Sequence, residues 1–598
     1  MQNAKSATKS FCKITMMALM ASGVATVVSG CGTASTVTSV PANHGNTVTQ
    51  PVGRPIPGGT ITFAETPQAN LNWFLPLFNV QDDGIDNSQL VNELYKPLLW
   101  INNKFNIDWA SSIASKISYN KEGTVYHVFM NPKWHWSNGQ AVTSKDVLFT
   151  WNVIKAASAP NAPAPWPFVG AGTGDIPNGI KSFVVNGPYE FTVTLDKPAN
   201  QQWFIYNGLI QLTPLPAKVW DVHKNIEKEI KYLGDHATNA MFDSVVDGPF
   251  KISKAVPNQE WVVVPNENYD GHKSIVHKIV FEYEGSNEAE FAQLKTGTIN
   301  VGYIDPSQYG SRKALTAQGD VIVPQYAFGY FETQLNMFPG SPVKKLFDHL
   351  YIRQALQMGI DQRAIDQAIY HGFAPPLDGP IPNIPRTNFF DKSLSTSPYP
   401  FNIAKGKKLL ESHGWKIVNG VMTKGTEKLQ FTMLYASGIT SEKDQVEIMK
   451  QDWGKEGIAV TLKGMPASTQ ESVTYNPKNP SDWEMSNGLA WFYNGPGYYP
   501  SGGQLFATNA PSGFGYSNST EDALIAATHR PYSSPQETMK AFYQYEKFTA
   551  LHLPVLWNEN IATLMVHAPN VHGTSQYGNA LTGYPQMNYW WVSSAGSN

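Results

Sequence analysis

Cysteine, histidine and a tryptophan-rich turn are the places where this sequence could do chemistry. Cys31 has the clearest setting. It closes the run Val28-Ser29-Gly30-Cys31, a branched apolar residue, two small residues and a thiol. Small residues let a backbone enter a peptidase cleft, and the thiol can then carry a lipid as a thioether. Lys5, Lys9 and Lys13 precede an uncharged, mostly apolar run from Ile14 to Val28. That run is too short to span a bilayer, so it reads as the core of a signal peptide over residues 1–30. Cys12 would leave with it. Cys31, already alkylated, would leave no thiol for a disulfide, a metal or a nucleophile.

Catalytic signatures are missing. The chain contains no GxxxxGK[ST] loop, no HExxH and no GxSxG elbow. Its 14 histidines are scattered, and His127 with His135 has no further ligand at zinc spacing. No metal, cofactor or enzyme activity is expected. Two carboxylates from distant positions could still meet for glycoside hydrolysis. A secreted lipoprotein hydrolase is therefore the alternative class, without a motif in its favour. Between Asn131 and Gln140, Asn138-Gly139 reads as a tight turn, with Trp134 and Trp136 alternating onto one packed face.

The elements around these residues are mixed. Strand alternation appears at Ile61 to Phe63, Phe191 to Leu195, Trp261 to Val264 and Ile279 to Phe281. Helical spacing appears at Ser144 to Ile154, Phe347 to Ile360 and Ile403 to Ser412. Asp361 is placed to cap a helix from Arg363 to Tyr370, which Gly372 would end, and Gly414 would end the helix before it. Residues 32–58 hold no aromatic and one charge, Arg54, so residues 31–58 read as a flexible tether. Charged residues are 15% of the chain against a usual quarter, and the net charge is −3, which excludes a nucleic-acid binder. A chain of 598 residues exceeds one core. Lobe 1 is expected over 59–306, lobe 2 over 307–530, and a return to lobe 1 over 531–598. Two crossings between lobes make a hinge, and a hinge makes a closing cleft.

Seven segments, in order, resemble solute-binding protein family 5, the oligopeptide-, dipeptide- and nickel-binding subunits of ABC importers. They are Leu90 to Leu98, Trp134 to Thr150, Asp247 to Phe250, Asn266 to Tyr269, Leu335 to Gly372, Ala404 to Trp415, and Asp482 to Trp491. The resemblance implies an α/β, two-lobe, periplasmic-binding-protein-like fold with an extra subdomain in lobe 1. It implies a monomer, lipid-anchored on the outer face of the cell membrane, that delivers ligand to permease transmembrane subunits. Peptide binders of this family carry an aspartate soon after the tryptophan. Here Tyr493 stands about there, and no acid follows until Glu521. Oligopeptide is the leading ligand, with an oligosaccharide or another neutral oligomer as the alternative. The expected ligand contacts are Trp491, Phe492, Tyr493 and Asn494 from lobe 2, Glu65, Asn72 and Trp73 from lobe 1, and Asn336 near a crossover. Either another acid such as Glu65 takes the place of that aspartate, or the ligand lacks a free ammonium.

Overall fold

Two large sheets organise the residues that the computed structural model describes, which are 54–242 and 244–594. Cys31, the expected signal peptide and most of the expected tether lie outside them. The first sheet has seven strands, in the order Val321–Gln325, Thr563–His567, Val301–Ile304, Thr60–Ala64, Lys278–Glu282, Glu260–Pro265 and Phe250–Val256. The second has five, in the order Ala459–Met465, Gln430–Ala436, Met485–Phe492, Gly329–Leu335 and Leu556–Trp557. A four-stranded antiparallel sheet of Ala114–Tyr119, Val125–Met130, Glu190–Leu195 and Ile180–Gly187 forms the extra subdomain.

The chain passes from the first large sheet to the second between Gln325 and Gly329, and returns between Trp557 and Thr563. The expected boundaries at 306/307 and 530/531 lie ahead of these two crossings. The result is α/β with two lobes on a two-stranded hinge. Pro55–Ile56, at the end of the expected tether, pairs antiparallel with Trp591–Ser593. No helix among the described residues is long and apolar enough to cross a membrane.

Local chemistry explains several of the elements. Helix Ser144–Ala157 opens on a capping box between Thr143 and Asp146. Helix Ile403–Ser412 opens on Asn402, and helix Gln362–Ala368 on Asp361, whose side chain accepts from Ala364 N–H at 3.1 Å. Trp134 and Trp136 are both buried, and Gly139 sits at φ +82° in the turn between them and Ala141. They pack, as the alternation predicts. Gly248 N–H donates to Leu94 O at 2.8 Å at the end of helix Ile85–Leu94. A Cβ on Gly248 would stand 2.4 Å from the Leu94 carbonyl carbon, so only glycine allows this approach.

Candidate binding cleft

A cavity of about 380 Å³ lies between the two large sheets. That is the lower end of the range for small-ligand sites, which suits a short ligand. The first lobe lines it with Asp83, Asp86, Glu290, Tyr303 and Asp305, and the second with Phe331, Glu442, Gln470, Glu471 and Tyr475.

The expected contacts divide into three groups. Trp491, Phe492 and Asn494 line the cavity at the end of the central strand Met485–Phe492. Tyr330 pairs with Trp491 across the ladder, Phe331 meets the Phe492 ring edge-on at 6.0 Å, and Asn494 Nδ2 donates to Thr582 O at 2.7 Å. Tyr493 turns into the core instead. Its hydroxyl donates to Pro380 O at 2.7 Å and its ring packs on Phe328 at 5.1 Å. Trp73 and Asn336 are buried scaffold. Trp73 Nε1 donates to Leu77 O, and Asn336 Nδ2 donates to both Pro480 O and Trp483 O. Asn72 braces the loop that carries the cavity acids, donating to Asp82 Oδ1 at 2.7 Å.

Glu65 lies fully buried beside Asp86 and Glu290, with no donor to either carboxylate oxygen among the described residues. Burial, reinforced by the neighbouring acids, raises it well above the usual carboxylate range. It is not among the residues lining the cavity. Walled off from the cavity, Glu65 is not placed to meet a ligand ammonium.

Sequence spacing does not reveal the acids that do line the cavity. There are six: Asp83, Asp86, Glu290, Asp305, Glu442 and Glu471. No Lys, Arg or His lines it. Glu290 accepts from Tyr303 N–H at 2.6 Å, Glu442 from Ala436 N–H at 3.0 Å and Asp86 from Thr66 N–H at 3.2 Å. Burial pushes Asp83, Glu442 and Glu471 each up to about 8, and the nearby Asp83, Asp86 and Asp82 add to the rise at Glu471. The acidic pair Asp82-Asp83 before Gly84 is visible in the sequence, but nothing in it says that Glu471 comes to meet them.

A latch crosses the cleft. Helix Thr440–Glu456 in the second lobe begins after Ile439, a residue with no side-chain acceptor. Its first N–H groups find partners in the first lobe. Thr440 N–H donates to Asn287 Oδ1 at 2.9 Å, and Ser441 N–H and Oγ donate to Asp305 Oδ2 at 3.3 and 2.6 Å. Thr440 Oγ1 donates to Glu288 Oε1 at 2.8 Å. The first lobe thus caps a second-lobe helix only while the lobes are together, and Asp305 also meets the positive end of the helix dipole.

Two lobes on a hinge, latched over a cavity lined from both sides, define a protein of the periplasmic-binding type that encloses a solute. A family model for bacterial extracellular solute-binding proteins, family 5, middle region, matches residues 109–511. The chain belongs to that family. It is 24% identical over 446 residues to the oligopeptide-binding protein AppA of Bacillus subtilis (strain 168), spanning 72% of this chain and 73% of that one. The structure of Bacillus subtilis AppA in complex with a nonapeptide superposes with a TM-score of 0.76 at 20% identity, covering 90% of this chain and 100% of that one. NikZ from Campylobacter jejuni in complex with Ni(L-His) superposes at 0.72 with 18% identity, covering 90% and 100%. One fold holds a peptide in the first and a metal chelate in the second, so cleft chemistry selects the ligand.

Proposed function

We propose that this chain is the capture subunit of an ABC importer and that its cleft takes short oligopeptides for delivery to permease transmembrane subunits. The supporting observation is the cavity between the sheets, walled by Trp491, Phe492 and Tyr475 and edged by carboxylates without a protein cation. A peptide offers the matching groups, apolar side chains and at least one ammonium. The absence of an aspartate near Tyr493 does not remove this pairing, because the acids arrive from other segments. The reading extends to residues outside those described. Cys31 carries the lipid, residues 31–58 tether the folded body to the outer membrane face, and residues 1–30 are removed. The protein acts as a monomer whose lobes exchange chain between Gln325 and Gly329 and between Trp557 and Thr563.

Native mass spectrometry of the gently purified protein tests the ligand class. Added masses that fragment into amino-acid residues support peptide capture. A ladder spaced by one sugar unit overturns it in favour of oligosaccharide, the reading that the aromatic and amide lining of Trp491, Phe492 and Asn494 would then explain. Trp491→Ala is expected to weaken peptide binding by about fivefold or more, a loss of about 1 kcal/mol for a half-buried aromatic contact. Calorimetry reads this directly. Unchanged affinity with an unchanged circular dichroism spectrum would remove Trp491 from the site.

A further inference from the structure

Away from the cleft, one stretch of the second lobe departs sharply from the charge balance of the chain. Residues 401–428 hold six lysines against two glutamates, in a chain whose net charge is −3. They form helix Ile403–Ser412 and, directly after Gly414, a small antiparallel sheet of Lys416–Val418, Val421–Lys424 and Glu427–Lys428. Asn419-Gly420 joins the first two strands at φ +50° and +84°. Two left-handed residues in succession make the tight turn that keeps a hairpin compact.

Register sorts the side chains of this sheet. Opposite partners share a face, and so do residues two apart along a strand. Lys416 and Lys428 both pair with Thr423, and Val418 pairs with Val421. One face therefore carries Lys416, Lys428, Val418 and Val421 around Thr423. The other face turns to the body. Met422 is buried, and a Cβ on Gly457 would meet both Ile417 and Met422 at 3.2 Å. The first face looks outward, with Val418 51% exposed and Lys416 and Lys428 exposed beside it. Lys405 and Lys408, one turn apart on the preceding helix, are exposed as well, and so is Lys424. None of the six lysines forms an ion pair among the described residues, because Glu427 is held by Lys345 at 2.6 Å. Glu411 is the other acid of the stretch.

Aliphatic side chains ringed by unpaired lysines fit one kind of surface. In the headgroup layer of an anionic bilayer, phosphates meet the ammonium groups while lysine stems and valines enter the apolar boundary. A soluble polyanion would match the lysines and leave the valines in water. We propose that the outward face of this sheet, with Lys416, Lys428, Val418 and Val421, and the exposed lysines of the helix ahead of it form a surface that rests on an anionic phospholipid bilayer. A lipid on Cys31 would keep the folded body within reach of that bilayer. Residues 403–428 lie between the two crossings of the chain, so the second lobe is the one moored. The inference stands whichever ligand the cleft holds.

Lysine acetylation of the full chain, read residue by residue by mass spectrometry, tests this. The chain is labelled alone, with vesicles of phosphatidylglycerol and phosphatidylcholine in equal parts, and with vesicles of phosphatidylcholine only. Lys405, Lys408, Lys416, Lys424 and Lys428 are expected to react about threefold or more slowly on the anionic vesicles, and to recover in high salt. Lys116 and Lys181, exposed on the four-stranded sheet of the first lobe, serve as the internal reference. Lys416→Glu/Lys428→Glu is expected to abolish the slowing at the remaining three lysines, and Val418→Ser to weaken it, with circular dichroism unchanged in both. Labelling that is equal with and without anionic vesicles overturns the proposal. Equal slowing on phosphatidylcholine alone overturns the role of charge, and equal slowing at Lys116 and Lys181 overturns the assignment to this face. Slowing by soluble poly(glycerol phosphate) as strong as by vesicles, with Val418→Ser indifferent, overturns the bilayer in favour of an anionic polymer.

Discussion

Ligand-free protein is expected to melt about 5 °C or more higher at pH 5 than at pH 8. The reason is the number of buried carboxyl groups, of which only Glu93 and Asp247 face a cation, Lys96, that offsets part of the rise. Burial pushes Glu93, Asp247, Glu332 and Glu442 up to about 8, and Glu456 and Glu546 up to about 9. In the unfolded chain the same groups titrate near 4. Between those values the folded state holds protons that the unfolded state has released. Stability therefore falls as pH rises, at about 1.4 kcal/mol per pH unit for each group that stays protonated. The stabilisation is fully present below about pH 4 and is lost by the time pH has risen through the folded values near 8 and 9. His529 opposes this. Burial lowers it to about 3, so it costs stability below about pH 6.5, where the unfolded chain binds its proton. Lys96, lowered to about 8, acts only above the window compared. The acids outnumber His529 between pH 5 and 8. Differential scanning calorimetry at constant ionic strength measures the midpoint. A flat or rising midpoint across that range would sink the account. Glu332→Gln, which keeps shape and removes a titration, is expected to lessen the slope.

Asp305→Ala is expected to weaken peptide binding by about thirtyfold, or about 2 kcal/mol. Asp305 Oδ2 receives both the N–H and the hydroxyl of Ser441 across the cleft. Hydrogen bonds to a charged acceptor are the strong ones, and this acceptor also faces a helix N-terminus. Without it, the first turn of Thr440–Glu456 loses a cap that Ile439 cannot replace. Closing is then less favourable, and ligand must supply the difference. Asp305 also accepts from Ser307 N–H at 2.9 Å, so local damage needs a control. Ser307→Ala keeps that N–H, removes only the Ser307 hydroxyl that also donates to Asp305 Oδ1, and is expected to leave affinity within about twofold. Small-angle scattering of the ligand-free Asp305→Ala protein is expected to show a larger radius of gyration than wild type. Equal affinity and equal dimensions would mean that the contact holds nothing shut.

Much of the chain was readable residue by residue. Asp361, Asn402 and Thr143 open helices because a side-chain oxygen beside an apolar run satisfies the first free N–H groups. Trp134 and Trp136 with Asn138-Gly139 form a packed turn. Trp491 and Phe492 reach the cavity because they close the central strand of the second sheet. Tyr493 follows directly after them in sequence, yet its hydroxyl is drawn to Pro380 O, more than a hundred residues away. Glu65, chosen as a replacement acid, is walled in beside Asp86 and Glu290 by strands that only the folded sheet brings together.

By itself the sequence determined the quantities that depend on neighbours along the chain: caps, alternation, turns, the ordered segments of family 5, and the missing catalytic motifs. Tertiary structure alone decided where the chain crosses between lobes, which acids share the cleft, and that Asp305 latches a helix beginning at Thr440. The physical reason is range. Capping and alternation act over a few residues and leave a local pattern. The meeting of Asp83 with Glu471 is set by two sheets and a hinge, so neither residue carries a trace of the other in its own surroundings.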